Sequence, residues 1–320
     1  MIDSISNMGG GVSIEPIDWD PSVFPKSGVK LSYIEEFFTA CGGRDKLEGL
    51  TTTEVCDQYI KPLTEQSKSS YCDLLKHQNH AAVGQATVFI SHAWRYKFLN
   101  VVSALLYHLR DEPDKVIWFD LFSNNQHRAT ELPYDWWSTT FKSAIEQFGH
   151  TIMVMSPWHD PIPYQRAWCI FEAYCTASTN SKFEIAMSEE DKAAFIDDVI
   201  DVTEKTINKM LSVIDSRKRE CWIPSDRERI FNAVRESIGF GGINAMLFEQ
   251  YRQWVIEVGH EAMNNASDEL KKTKLMNMMG ELYSGQAKYD LAEPLYKECI
   301  QAKEEKLALW GVSIILLLCT

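Results

Sequence analysis

The sequence predicts an α/β fold: a doubly wound parallel sheet with a helical prefix and a C-terminal helical region. Three observations lead there. Short, unbroken apolar runs begin at 87, 116, 151 and 183, a spacing close to one βα unit of about 30 residues. Unbroken rather than alternating runs suit strands buried on both faces. The stretches between them carry apolar residues at helical spacing, and from residue 189 onward helical patterning replaces the strand-like runs.

The chain has 320 residues, 45% hydrophobic and 24% charged. That is the make-up of a globular protein with room for two domains. Its net charge of −13 argues against a nucleic-acid partner, because such binding rests on Lys and Arg neutralising phosphates. A small anionic ligand stays open, since a local pocket can oppose the global field. The eight cysteines form no C-x-x-C pair. Met1 to Val12 is polar and Gly-rich, without the apolar core of a signal peptide. Together these predict reduced thiols, used as small buried hydrophobes, in a cytoplasmic protein. The apolar stretch from Leu307 to Thr320 is 14 residues long, too short for a membrane span.

In chain order, residues 1–30 read as an irregular lead-in, with Gly9-Gly10-Gly11 and three prolines. Residues 31–83 read as a prefix of short helices, one starting near Thr53-Glu54 and one stopping at Gly42-Gly43. Residues 84–223 form the α/β domain. Its strands are Ala86–Ile90, Val116–Phe119, Thr151–Met155 and, more weakly, Phe183–Met187, and Thr87–Ser91 is expected at the centre of the sheet. Cys221-Trp222-Ile223 is the candidate fifth strand. One helix presents Phe98, Val101, Val102, Leu105, Leu106 and Leu109 on a single face; another presents Trp137, Phe141, Ala144, Ile145 and Phe148 and stops at Gly149. Residues 224–265 read as a helical connector, 266–306 as a helix pair and 307–320 as an apolar tail.

Ligands of open parallel sheets sit outside the carboxyl ends of the strands, and here those ends are polar. The first run ends in Ser91-His92-Ala93-Trp94-Arg95. The second ends in Asp120, followed by Ser123-Asn124-Asn125-Gln126-His127-Arg128. The third ends in Ser156-Pro157-Trp158-His159-Asp160. Ordinary loop polarity gives the same appearance. His92, His127 and His159 with Asp120 are an alternative metal set, but they come from separate loops without ligand spacing, and no metal is expected. Trp94, Trp118, Trp158 and Trp168 are available as a stacking wall, although burial in the sheet explains Trp118 and Trp168 as well.

After the third run, Tyr164, Ala167, Trp168, Phe171 and Cys175 form a helical apolar stripe, with Glu172 one turn past Trp168 at its edge. Spacing alone favours a surface glutamate beside a buried face. The sharper alternative is a carboxyl with a raised pKa, suited to acid/base or charge-stabilising work.

Two resemblances follow from these residues. Met276, Met279-Gly280, Tyr283, Ala292 and Tyr296, with small Cys299, match one tetratricopeptide repeat, and Ala292–Tyr296 resembles its kinesin-light-chain type. A lone repeat cannot bury its own face, which implies protein partners for this region. Thr87-Val88-Phe89-Ile90-Ser91-His92 resembles the opening strand of Toll/interleukin-1 receptor (TIR) domains, and Trp168-Cys169-x-x-Glu172 the helix signature of their plant-type members. The resemblance covers about residues 84–215. It implies a flavodoxin-like fold, self-association and intracellular signalling. It also implies, for part of the family, cleavage of NAD at the nicotinamide bond, with Glu172 as the catalytic carboxylate and Leu121 to Pro133 as the assembly and gating loop. His92-Ala93-Trp94 departs from the family's usual polar run. NAD would be substrate, not cofactor. Ligand contacts are then expected from Ser91, His92, Trp94, Asp120, Asn124, Asn125, His127, Arg128, Trp158, Trp168 and Cys169. Assembly without turnover, and a small-molecule-binding domain without catalysis, remain the other two readings.

Overall fold

The structure is a computed structural model. It describes residues 17, 20, 22–128, 139–156, 162–201, 228, 230, 232, 235 and 238–318, and of 199, 201 and 306–318 the backbone alone. The expected fifth strand at Cys221–Ile223, the glycine triplet at 9–11, Trp137 and the Pro157–Asp160 segment lie outside the described residues. The chain divides into two units: residues 1–191 with 215–246, and 192–214 with 247–320.

The first unit is built on a six-stranded mixed sheet. Its strands are β1 (Ser27–Lys30), β2 (Val83–Gln85), β3 (Val88–Ser91), β4 (Val116–Phe119), β5 (His150–Val154) and β6 (Lys182–Ala186), in the order β2-β1-β4-β3-β5-β6. The four runs expected as strands are all present and mutually parallel, with β3 between β4 and β5. Phe89 pairs with Trp118 on one side and Thr151 on the other. All four residues of β3 are buried, which is why its sequence shows no alternation.

Helices cover both faces. α5 (Phe98–His108) turns Phe98, Val101, Val102 and Leu105 inward, the face expected from their spacing. α7 (Phe141–Phe148) and α8 (Ala167–Ser178) lie on the opposite face. There Phe141 meets the ring of Phe89 edge-on at 5.6 Å. Trp118 stacks on Phe89 at 4.8 Å and donates its indole N–H to the Pro25 carbonyl, so this tryptophan is a core residue.

The lead-in expectation needs correction at its end. Ser27–Lys30 is a strand, antiparallel to both β4 and β2. Between β1 and β2 run α1 (Tyr33–Ala40), α2 (Thr52–Val55), a π-helical turn (Cys56–Ile60), α3 (Lys61–Leu63) and α4 (Tyr71–His77). Thr51 and Glu54 cap α2 reciprocally, each side chain bonding the other's backbone N–H. These short helices belong to the sheet's own core. Phe37 of α1 meets Phe98 of α5 and Phe122 edge-on at 6.0 and 5.0 Å. One apolar cluster runs from Val29 to Ala186. The prefix is thus anchored by its two flanking strands to the sheet it covers.

The second unit is helical. It holds most of α9 (Glu189–Asp201) and of α10 (Gly239–Asn265), with α11 (Glu269–Gly285) and α12 (Tyr289–Leu318). The expected helix pair is present and antiparallel: Gly280 faces Tyr296, while Thr273 accepts from the Cys299 thiol at 3.7 Å. Asp268 caps α11 through the Leu270 N–H. Met278 and Met279 close on Gly259 of α10, and His260 of α10 bonds the Tyr283 hydroxyl at 3.0 Å. The tail continues as helix to Leu318, and no described helix is long and apolar enough to cross a membrane.

Candidate functional site

The parallel register sets Asp120, the residue after β4, level with Ser91, the last of β3: Ile90 pairs with Phe119 one step earlier. α8 then brings Glu172 over the same strand end. It follows a 3-10 turn at Ile162–Gln165 and is fixed to β5 by Thr176, whose hydroxyl donates to Thr151 Oγ1 at 2.8 Å. Ser91 Oγ donates to Glu172 Oε2 at 2.5 Å. One residue further, the Cys169 thiol donates to the His92 carbonyl at 3.5 Å.

Asp120 opens the short helix α6 (Asp120–Ser123) and accepts the Trp94 indole N–H at 2.5 Å. The His92 ring stacks beside Trp94, and its Nδ1 lies 3.6 Å from Asp120 Oδ1. The prefix fastens this corner from outside. Thr52 and Thr53 donate their backbone N–H groups to the Tyr96 and Trp94 carbonyls. Buried polar atoms are normally paired, yet Asp120 Oδ1, His92 Nε2 and Thr52 Oγ1 are buried here without a hydrogen-bond partner.

Burial governs the electrostatics. It pushes Glu172 up to about 8; the Asp120 charge adds to this, while the Ser91 hydroxyl and Arg166 act against it. Burial likewise raises Asp120 to about 7 against its hydrogen bonds from Trp94 and the Leu121 N–H. His92 falls to about 3, so its imidazole is neutral near pH 7. The Cys169 thiol is pushed well above its ordinary value and is no nucleophile at that pH. Two acids that ionise near neutrality and a neutral imidazole share one strand-end corner. Such an arrangement suits proton exchange or charge stabilisation better than covalent attack.

The structure therefore gathers Ser91, His92, Trp94, Asp120, Cys169 and Glu172. It sends other expected ligand contacts elsewhere. Asn125 is buried and donates to the Lys68 carbonyl at 2.7 Å, and His127 Nε2 pairs with Thr64 Oγ1 at 2.9 Å. Both side chains fasten the loop after β4 to the prefix, a correction to their expected place in the ligand site. Asn124 and Arg128 are half-buried in the same loop, where the Asn124 N–H bonds the Asp120 carbonyl. Trp168 meets the rings of Phe141 and Phe171 at 6.3 Å, on the α7 side. Trp158 lies outside the described residues. Neither Arg166 nor Thr52 stands out in the sequence. Thr52 sits on the prefix, so no local signal links it to the strand ends.

Among the described residues no three His, Cys, Asp or Glu side chains are grouped to hold a metal. A cavity of about 350 Å³ is lined by Phe24, Lys26, Thr140 and Ser143. Among the described residues its wall holds no carboxyl or imidazole.

No family model, curated protein or solved structure matches this chain.

Proposed function

We propose that this is a cytoplasmic signalling protein whose first unit is a TIR-like domain hydrolysing NAD at the nicotinamide–ribose bond, and whose second unit binds protein partners through a tetratricopeptide-type helix pair. The observation that carries the reading is the buried Glu172 carboxyl, held by Ser91 at the carboxyl end of the central strand, with its pKa raised chiefly by burial. The order of the parallel strands supports it. In chain order they lie second, first, third, fourth, the flavodoxin-like order, in which ligands bind where the order reverses. That point is between β3 and β5, under Glu172. The Gly280–Tyr296 approach in the helix pair agrees with the repeat pattern, and the six described cysteines are free and buried, as reduced thiols would be.

The chemistry follows from charge. Cleavage of the bond from ribose C1′ to the nicotinamide nitrogen gives neutral nicotinamide and leaves positive charge on the ribose. A carboxylate against that charge stabilises the transition state more than the ground state. Water then adds at C1′ and its proton passes to solvent. Near pH 7 Glu172 is mostly protonated in the free site; the fixed positive charge of the nicotinamide ring favours its ionised form on binding.

Incubating the full chain with NAD and following nicotinamide tests this. Release is expected, and E172Q should lower it by about 100-fold or more. Turnover that survives E172Q removes Glu172 from the mechanism. No turnover in the unaltered chain leaves signalling by assembly as the role of the domain.

A further inference from the structure

Trp94 is held at both ends. Its indole N–H is donated to Asp120 Oδ2 at 2.5 Å. Its carbonyl accepts the Thr53 backbone N–H at 3.2 Å and the Thr53 hydroxyl at 3.4 Å. The chain beyond it is fastened to the same stretch of prefix. The Tyr96 carbonyl accepts the Thr52 N–H at 3.1 Å, and the Phe98 N–H bonds the Leu50 carbonyl at 2.8 Å. The Trp94 ring packs on the sheet's apolar cluster yet is only half-buried. It lies 25° from the plane of the His92 ring, with centroids 6.2 Å apart.

An indole at a surface needs no acid, because water satisfies its N–H. A carboxyl set beside it carries a desolvation cost that an apolar neighbour would not. What the carboxyl adds is one fixed orientation of the ring. Asp120 is itself immobile: it opens α6, and its carbonyl accepts the Gln126 amide at 2.7 Å and the Asn124 N–H at 3.0 Å. A half-open aromatic face held this firmly is preorganised for binding.

We propose that Asp120 and Thr53 are positioning residues that hold the Trp94 indole as a stacking face for a planar cationic ring bound at the strand ends. The indole is the best of the aromatic faces for a cation. The carboxyls that follow β4 and close over β3, Asp120 and Glu172, favour a cation in the same place. The ring's identity as nicotinamide rests on the NAD reading; the clamp on Trp94 does not. The prefix then takes part in the site through Thr53, 41 residues before the ring it steadies.

The test follows the Trp94 indole N–H by NMR in the full chain, with the resonance assigned from W94F. D120L, which removes the acceptor, should speed its exchange with solvent by about tenfold or more. D120N, which keeps an amide oxygen, should recover most of the protection. The ligand probe is N1-methylnicotinamide, a planar cation, titrated while the same resonance is followed. Binding should move that resonance. W94L should weaken binding by about tenfold, and D120L by a similar factor that D120N largely restores. T53V, which removes only the hydroxyl, should weaken it about twofold. No binding to the unaltered chain, or unchanged affinity in W94L, overturns the stacking face. A loss in D120N as large as in D120L overturns the positioning role, since the charge would then be the group that binds. Where D120L does not fold, W94F against W94L reads the stacking alone, and W94F should bind the tighter. Probe binding in this pattern by a chain that releases no nicotinamide from NAD would sink the hydrolase reading and keep this one. Turnover of NAD that W94L leaves unchanged would do the reverse.

Discussion

Gly28 of β1 lies against the backbone of Ile117 in β4: a Cβ at residue 28 would stand 2.2 Å from the Ile117 carbonyl oxygen. The contact is backbone against side chain, so no rotamer change relieves it. It is where the antiparallel edge carrying the prefix closes on the parallel strands.

G28A should therefore destabilise the first unit by about 3 kcal/mol, read as a lower urea midpoint. G84A on neighbouring β2 is the contrast. Its Cβ would meet only the Val116 side chain, Cγ2 at 3.4 Å and Cγ1 at 3.8 Å, and it should change stability by less than about 1 kcal/mol. Equal effects would mean that β1 does not sit as tightly as described.

Gly280 is the matching case in the second unit. A Cβ there would come within 2.7 Å of Tyr296 Cε1. Gly-to-Ala inside a helix ordinarily stabilises by about 1 kcal/mol. Here G280A should destabilise by a similar amount, and in a Y296A background the sign should reverse. A double-mutant cycle on thermal unfolding measures it.

Glu184 of β6 accepts from three cations or rings: His150 Nε2 at 2.5 Å and Lys182 at 2.8 Å, with His108 Nε2 at 3.5 Å. Burial opposes its ionisation, but these hydrogen bonds outweigh burial and hold it well below the ordinary carboxylate range. A depressed acid adds stability above its unfolded pKa and loses it as pH falls through the folded one. Stability should thus drop below about pH 4. E184Q should cost about 2 kcal/mol at pH 7 and much less at pH 2–3, measured by denaturant unfolding across that range.

Glu172 has the opposite sign. Its folded pKa is raised to about 8, so its contribution is complete below the unfolded value and is lost as pH rises through about 8. The unaltered chain should be less stable at pH 9 than at pH 5. E172Q should narrow that gap by roughly 2 kcal/mol or more, and at pH 9 the variant should melt higher. A gap that E172Q leaves unchanged would mean the carboxyl is solvated.

The exposed apolar residues of the helix pair allow the proposed partner binding to be tested. Leu291 and Ile300 of α12 are 46% and 56% exposed. Amide exchange should be faster in α11 and α12 than in β3 and β5, and binding of a partner over either Leu291 or Ile300, which flank the buried Ala292–Cys299 stripe on opposite edges, should raise protection. Exchange already equal to the sheet's would mean that the pair is fully covered within the chain.

The four parallel strands, the covering helices and the helix pair were legible in the sequence because each is a local pattern. A strand buried on both faces must be apolar throughout, and a helix with one buried side must repeat every three to four residues. Strands β1 and β2 were not legible. They have four and three residues, too few for a period, and exist because β4 and each other supply their hydrogen bonds. The candidate site divides the same way. Ser91, His92, Asp120 and Glu172 stood out because they fall at strand ends and on a marked helix. The charge state of Glu172, which spacing favoured as an ordinary surface group, depends first on burial beneath the folded chain, opposed by the hydroxyl of Ser91, 81 residues earlier, and reinforced by Asp120. Asn125 and His127 looked equally functional until folding gave them partners 57 and 63 residues away on the prefix. Apolar periodicity is written into neighbouring residues, so the sequence by itself determined which segments are buried and in which form. Hydrogen-bond pairing and desolvation act between residues that only the folded chain brings together, and so the tertiary structure alone decided which polar side chains form the site and which merely fasten a loop.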